Sequence, residues 1–271
     1  MVTSARTMCV IIPVHKEHLS AEEVASLQAC YRHLKNYDCF LVFPEGLFIN
    51  NYTDIHPKLI LKSVPTSWLS SLQSYNLMKV NPDFYEIFNR YDFMMTYELD
   101  AFILSSNVEE YFGFDYDFIG APVFKGYMNA PGIIFNNVLN SGFSIRNISA
   151  CAKALARLKK YRSTWKRNRF IMSNFQFLRR FIKSEKLNLI YDDHITGYFR
   201  NGYFNEDIIL SKIVPQLSPF FKVAPFKSAA AFSFEVNPDL LYKLNNYKLP
   251  LGCHAWPKFF SFWKDFIQVN K

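Results

Sequence analysis

The apolar positions of the chain alternate between short unbroken runs and helical stripes. Residues 9–14 form an apolar run of strand length, and residues 39–43 form a second, closed by Pro44-Glu45-Gly46. Between them, residues 20–36 carry Val24, Leu27, Cys30/Tyr31 and Leu34 at helical spacing. Ser20 is placed to cap this helix, with Glu23 three residues on, as in a capping box. Residues 59–61 predict a third strand, 67–80 a helix with Leu69, Leu72, Leu77 and Val80 near one face, and 82–89 another helix. Residues 93–97 predict a strand that runs straight into Glu98-Leu99-Asp100. Such alternation predicts a mostly parallel sheet covered on both faces. Ligands bind these sheets beyond the carboxyl ends of the strands, which is where Glu98 and Asp100 fall.

The second half is less regular. Residues 117–122 read as a short strand and turn, 126–136 as a Gly/Pro/Asn loop, and 139–146 as a strand with a polar, glycine-bearing start. Residues 149–161 and 165–182 predict two helices, 205–217 a helix led by Asn205-Glu206-Asp207, and 229–236 a strand. The tail, 249–269, is a Gly-Cys-His-Ala-Trp turn followed by an aromatic helix. No repeat or linker interrupts the chain, so the expectation is one domain over 1–271.

Composition narrows the class. Of 271 residues, 50% are hydrophobic and 18% aromatic, which excludes a disordered chain. No apolar run reaches the ~20 residues of a membrane span. The first residues hold too short an apolar run for a secretory signal, so the expected location is the cytoplasm. Five cysteines, an odd number without a C-x-x-C pair, fit reduced thiols better than a disulfide framework.

The net charge of +8 is concentrated. Residues 153–186 hold twelve Lys/Arg and one acid, Glu185, giving +11 there and −3 over the remainder. Aromatics interleave with the basic residues, among them Tyr161, Trp165 and Phe170. The segment reads as a basic helical insertion with a solvated face over an aromatic core, or as a helix lying on an anionic membrane at the inner face. Nucleic acid ranks last as a partner, because no nucleic-acid-binding motif accompanies the charge.

Two carboxylates at the end of a buried strand, Glu98 and Asp100, are poor core residues. They suit Mg²⁺ or Mn²⁺, which favour one or two carboxylates plus substrate phosphates. The same pair also reads as loop caps. Glu206 and Asp207 at a helix start complement the helix dipole, or supply a general base; Asp207 is the favoured base and Glu206 the alternative. His254 reads as a packed imidazole or a metal ligand. The Asn140-Ser141-Gly142 strand start permits close approach of a ligand. Asp192-Asp193-His194 reads as a turn and helix cap rather than a metal triplet.

Taken in order, these motifs resemble a GT-A type glycosyltransferase, an α/β Rossmann-like nucleotide-sugar-binding fold with a mixed, mostly parallel central sheet flanked by helices. More closely, the chain resembles a family of small glycosyltransferase-like proteins from bacterial surface-polysaccharide clusters, long carried as a domain of unknown function. The residues that carry the resemblance are Tyr97-Glu98-Leu99-Asp100-Ala101-Phe102, Tyr116-Asp117-Phe118-Ile119-Gly120-Ala121-Pro122, Asn140-Ser141-Gly142-Phe143-Ser144-Ile145-Arg146, Asn205-Glu206-Asp207, Phe232-Ser233-Phe234-Glu235 and Gly252-Cys253-His254-Ala255-Trp256. The resemblance implies a metal held by Asp100 and His254, and a nucleotide-sugar donor, UDP-linked, against Pro13, Glu98, Asp100, Asn140 and Gly142. Glu98 departs from the expected Asp-x-Asp. The resemblance also implies Asp207 as base in an inverting transfer to a glycan or lipid-linked glycan, in surface polysaccharide (O-antigen or capsule) synthesis. A retaining transferase with the same metal site, and a non-catalytic nucleotide-sugar-binding relative, are the competing readings.

Overall fold

The computed structural model describes residues 6–126, 134–174 and 193–268. Strand β1 (Met8–Pro13) is buried almost throughout, as expected of a strand covered on both faces. Helix α1 (Ala21–Leu34) follows, with the capping box in place: Ser20 accepts from the Glu23 amide, and Glu23 accepts from the Ser20 amide. Strand β2 (Asp38–Pro44), the single turn α2 (Asn50–Thr53) and strand β3 (Ile60–Val64) come next. The helix expected over 67–80 is two pieces, α3 (Thr66–Leu69) and α4 (Leu72–Lys79). Ser71 breaks the helix because it is extended and its hydroxyl caps α4 through the Ser74 amide. Helix α5 (Pro82–Glu86) leads to β4 (Phe93–Tyr97), every residue of which is buried.

Strands β5 (Phe102–Ile103), β6 (Phe118–Phe124) and β7 (Phe135–Asn147) precede α6 (Ile148–Asn174). The two helices expected over 149–182 are one through the described residues, because Arg162-Ser163-Thr164 holds no proline or glycine to stop it. Residues 127–133 of the expected loop and 175–186 of the basic segment lie outside the described residues. Asp192 does too, as do the side chains of Asp193 and His194, which open α7 (Asp193–Asn201). The helix expected over 205–217 is present as α8 (Glu206–Ile208), a widened turn at Ile209–Ile213, and α9 (Val214–Leu217). The first half of the strand expected over 229–236 is helix: α10 (Phe226–Phe232) passes into the two-residue β8 (Ser233–Phe234). Three consecutive alanines favour the helix, and the apolar run alone does not distinguish a buried helix from a strand. Helix α11 (Pro238–Leu244), β9 (Gly252–Cys253) and the short aromatic helix α12 (Phe260–Trp263) complete the chain.

The main sheet has the order β3-β2-β1-β4-β7-β6. Its first four strands are mutually parallel, and β7 runs against both β4 and β6. Only β7 is reversed, so the α/β class and the mixed, mostly parallel sheet are as expected. From β1 the chain adds β2 and β3 on one side and β4 on the other, which makes the gap between β1 and β4 a topological switch point. A second sheet, β5-β9-β8, joins strands that sit just after Asp100, just before His254 and just before Glu235. Among the described residues, no helix is long and apolar enough to cross a membrane.

Candidate active site

The small sheet explains why residues so distant in sequence meet. Pairing Phe102 with Cys253, and Phe234 with Cys253, brings Asp100, Glu235 and His254 to one end of three strands. The His254 amide donates to Phe234 O at 2.8 Å, and the Trp256 amide to Asp100 O at 3.2 Å. His254 Nε2 lies 3.0 Å from Asp100 Oδ1 and 3.4 Å from Glu98 Oε2; its Nδ1 lies 3.3 Å from Glu235 Oε1. One donor atom each of Glu98, Asp100 and His254 falls within 4.8 Å of the other two. Burial works against a charge on His254, but hydrogen bonds to Asp100, Glu235 and Glu98 hold its pKa well above the usual imidazole range.

Asn140 and Gly142 stand behind this cluster rather than in the pocket. Asn140 Nδ2 donates to Glu235 Oε1 at 3.2 Å, and Asn140 Oδ1 accepts from the Gly142 amide at 2.8 Å. Gly142 is required by space, since a Cβ there would overlap the His254 ring. The Glu98 amide donates to Gly142 O at 2.9 Å, which ties the end of β4 to the same point of β7.

A second layer was not legible from sequence. Lys79, at the end of α4, is 3% exposed. Its Nζ meets Glu98 Oε1 at 3.2 Å and Ser141 Oγ at 3.1 Å, and pairs closely with Glu206. Burial works against its charge, yet Glu206 and Glu98 more than offset this and keep its pKa above the usual lysine value. Arg146, fully buried on β7, also reaches Glu206, at 3.5 Å, and donates to Tyr85 Oη at 3.3 Å. Tyr75 Oη donates to Glu98 Oε1 at 2.7 Å. Burial disfavours the Glu98 carboxylate, but Lys79, then His254 and Tyr75, hold its pKa far below the usual range.

Glu206 is thus enclosed by Lys79, Arg146 and Ser141. Asp207, its neighbour, is differently placed: Oδ1 is buried with no hydrogen-bond partner. Burial first, then the charge of Glu206, pushes its pKa up to about 8, with Lys79 and Ser141 pulling the other way.

Replacing Lys79 by Met takes the buried lysine from Glu98 and leaves Glu206 with Arg146 alone. Breaking such a pair from one side costs ~3–5 kcal/mol. Urea unfolding of Lys79→Met should show a loss of that order; a change below ~1 kcal/mol would mean the network carries little of the fold.

A pocket of about 560 Å³ opens at the carboxyl ends of β1 and β4. Pro13, Val14, Tyr52, Tyr75, Glu98 and Asp100 are in its wall, so three of the five residues expected at the donor are there. The volume lies within the ~300–1,000 Å³ of small-molecule sites.

The family model described as "Protein of unknown function (DUF5672)" matches residues 58–254. The chain belongs to that family. The DUF5672 match takes in Lys79, Glu98, Asp100, Glu206, Asp207 and Glu235, and ends on His254. No curated protein matches the sequence. Among solved structures, the chain is similar to mouse xyloside xylosyltransferase 1 in its apo form, at 11% identity over 92% of this chain and 97% of that one, with a TM-score of 0.48. It is similar to the galactosyltransferase LgtC in complex with donor and acceptor sugar analogs, at 10% identity over 97% and 98%, with a TM-score of 0.46. It is also similar to the apo WbbM bifunctional glycosyltransferase, at 11% identity and a TM-score of 0.44, covering 93% of this chain but only 46% of that one. The chain therefore spans about half the length of WbbM.

Proposed function

We propose that this DUF5672 chain is a metal-dependent GT-A type glycosyltransferase that moves a sugar from a nucleoside-diphosphate donor, UDP-linked, to a hydroxyl of a glycan or lipid-linked glycan, in surface-polysaccharide synthesis. The observation that carries the proposal is the convergence of Glu98, Asp100 and His254, the first two of which line the switch-point pocket.

The donor set fits a divalent cation. Three carboxylates, Glu98, Asp100 and Glu235, converge on one imidazole. The contact of Glu235 with Nδ1 fixes the ring so that Nε2 faces the pocket carboxylates, an arrangement common behind metal-bound histidines. Asp100 and His254 would hold Mn²⁺ or Mg²⁺, with Glu98 beside them. Bound there, the ion supplies positive charge against the donor diphosphate.

The remaining work falls to the protein. Pro13, Tyr52 and Tyr75 wall the space for the nucleotide. Lys79 and Tyr75 hold the Glu98 carboxylate in one orientation. Asp207 takes the proton of the acceptor hydroxyl as that oxygen bonds to the anomeric carbon and the bond from the anomeric carbon to the diphosphate oxygen breaks, inverting the centre. Glu206, committed to Lys79 and Arg146, positions the loop instead of accepting a proton.

Incubating the chain with a panel of nucleotide-sugars, Mn²⁺ and glycan acceptors tests the proposal. Release of one nucleoside diphosphate, with a product of inverted configuration by NMR, supports it. A retained configuration would remove Asp207 as base, and binding without turnover would make the chain a nucleotide-sugar-binding relative.

The exposed basic face of α6, with Lys153, Arg157, Lys159 and Lys160, supports placing a lipid-linked acceptor at an anionic membrane surface. The double charge reversal Lys159→Glu/Lys160→Glu should lower co-sedimentation with phosphatidylserine vesicles at least tenfold, at about 1 kcal/mol per charge removed and the same again for each acid gained. Unchanged co-sedimentation would dismiss the membrane role and leave the transferase reading untouched.

A further inference from the structure

A second cluster lies away from the pocket, inside the core between α1, β2 and the segment after α2. Cys30 faces inward from α1, Cys39 is the second residue of β2, and His56 follows α2 closely. All three are buried, none more than 1% exposed. Their two sulfurs and one imidazole nitrogen lie within 4.8 Å of one another. Neither ring nitrogen of His56 has a hydrogen-bond partner. The ring packs against Tyr31, with centroids 4.8 Å apart. Buried imidazoles are ordinarily satisfied by a hydrogen bond, and an orphaned one in an apolar core is costly.

We infer that Cys30, Cys39 and His56 form a structural site for a soft divalent cation, zinc by class. Thiolate and imidazole donors select zinc over the hard ions that carboxylates favour, so the site differs in chemistry from Glu98, Asp100 and His254. An ion with sulfur at ~2.3 Å and nitrogen at ~2.0–2.1 Å separates its donors by roughly 3.5–3.8 Å in tetrahedral geometry, inside the 4.8 Å that bounds the three donors here. The Cys39 thiol donates weakly to Leu34 O at 3.8 Å and Tyr37 O at 3.6 Å, contacts that its thiolate gives up on binding an ion. Binding leaves both sulfurs as thiolates and the imidazole neutral, so whatever protons the thiols still hold leave as the ion binds. Two thiolates and a dication sum to zero charge, which makes the site compatible with a dry core.

The position gives the site a task. The His56 amide donates to Tyr52 O at 3.0 Å, and Tyr52 lines the pocket while its hydroxyl donates to Lys16 O. An ion at Cys30, Cys39 and His56 pins α1, β2 and the segment behind that pocket wall to one another.

Cobalt is the probe. The full chain, reduced and stripped with chelator, is titrated with Co²⁺. One equivalent should give a near-ultraviolet thiolate-to-cobalt charge-transfer band and intense tetrahedral bands in the visible; Zn²⁺ should displace it. Asp100→Ala should keep the signal, and Cys39→Ser should lose it. If Cys39→Ser does not fold, X-ray absorption of the zinc-loaded wild type must show two sulfurs and one imidazole nitrogen about the ion. No charge-transfer band in the wild type, a band that survives in folded Cys39→Ser, or a zinc shell without sulfur would overturn the inference.

Discussion

Asp100→Ala is expected to remove metal-dependent turnover while leaving the chain folded. The Asp100 side chain is 41% exposed and pairs with His254, so its loss should alter stability little. Its loss from the donor set is another matter. A divalent cation against a developing diphosphate is worth several kcal/mol of transition-state stabilisation, and each 1.36 kcal/mol is tenfold in rate. Dropping one of the proposed ligands should therefore cost on the order of 10²–10⁴-fold in kcat/KM. Thermal unfolding without nucleotide should be close to wild type, which separates the effect from misfolding. Equal turnover in the variant and wild type at saturating Mn²⁺ would show that Asp100 is no ligand.

Asp207→Asn makes the second large prediction, with opposite effects on activity and stability. As base, Asp207 acts only when ionised, so turnover should rise with pH through about 8. Asparagine accepts no proton, and the general-base contribution of ~10²–10⁴-fold should vanish together with that limb of the pH profile. Stability should move the other way. The folded-state pKa is raised from the ordinary aspartate value of 3.8, so the native chain holds a proton that the unfolded chain has lost. Stability therefore falls as pH rises from about 4 to about 8, and the penalty is fully present above that window. The substituted asparagine is neutral throughout. The variant should unfold at a higher temperature than wild type at pH 9, by roughly 2–4 °C for each kcal/mol regained, with the difference closing towards pH 4. A variant less stable than wild type at pH 9 would show that the Asp207 carboxylate is satisfied in the fold.

Much of the fold is legible in the chain because its signals are local. The capping box at Ser20 and Glu23 is written in two residues, and β1, β2 and β4 are apolar runs of strand length bounded by polar or turn residues. The misread elements are those decided by non-local or weak terms. Ser71 is one of several serines between Ser67 and Ser74, and only its extended backbone reveals the break between α3 and α4. The Ala229-Ala230-Ala231 run lies within an apolar stretch whose period does not separate strand from helix.

The candidate site divides in the same way. Glu98 and Asp100 are visible in sequence as carboxylates at the end of an apolar strand, whereas Asp207 and His254 read equally as a helix-start acid and a packed imidazole and take their roles from the resemblance. Lys79 does not stand out, since a lysine at the end of an amphipathic helix ordinarily faces water and favours the helix dipole. Arg146 occupies a β7 position that alternation gives no reason to mark. Glu235 lies within the segment 229–236 read as strand, and only the second sheet shows that it meets His254. The buried Glu206, in turn, reads from sequence as a helix-start acid, and its enclosure by Lys79 and Arg146 is visible only in three dimensions.

The most direct measurement is a calorimetric titration of nucleoside diphosphates and nucleotide-sugars into wild type and Asp100→Ala, each with and without Mn²⁺. The account predicts tight binding of one nucleotide by the wild type only when Mn²⁺ is present, and its loss in Asp100→Ala. No binding of any nucleotide, or equal binding by both proteins without the metal, would contradict the assignment of the pocket at β1 and β4 to a metal-held nucleotide-sugar.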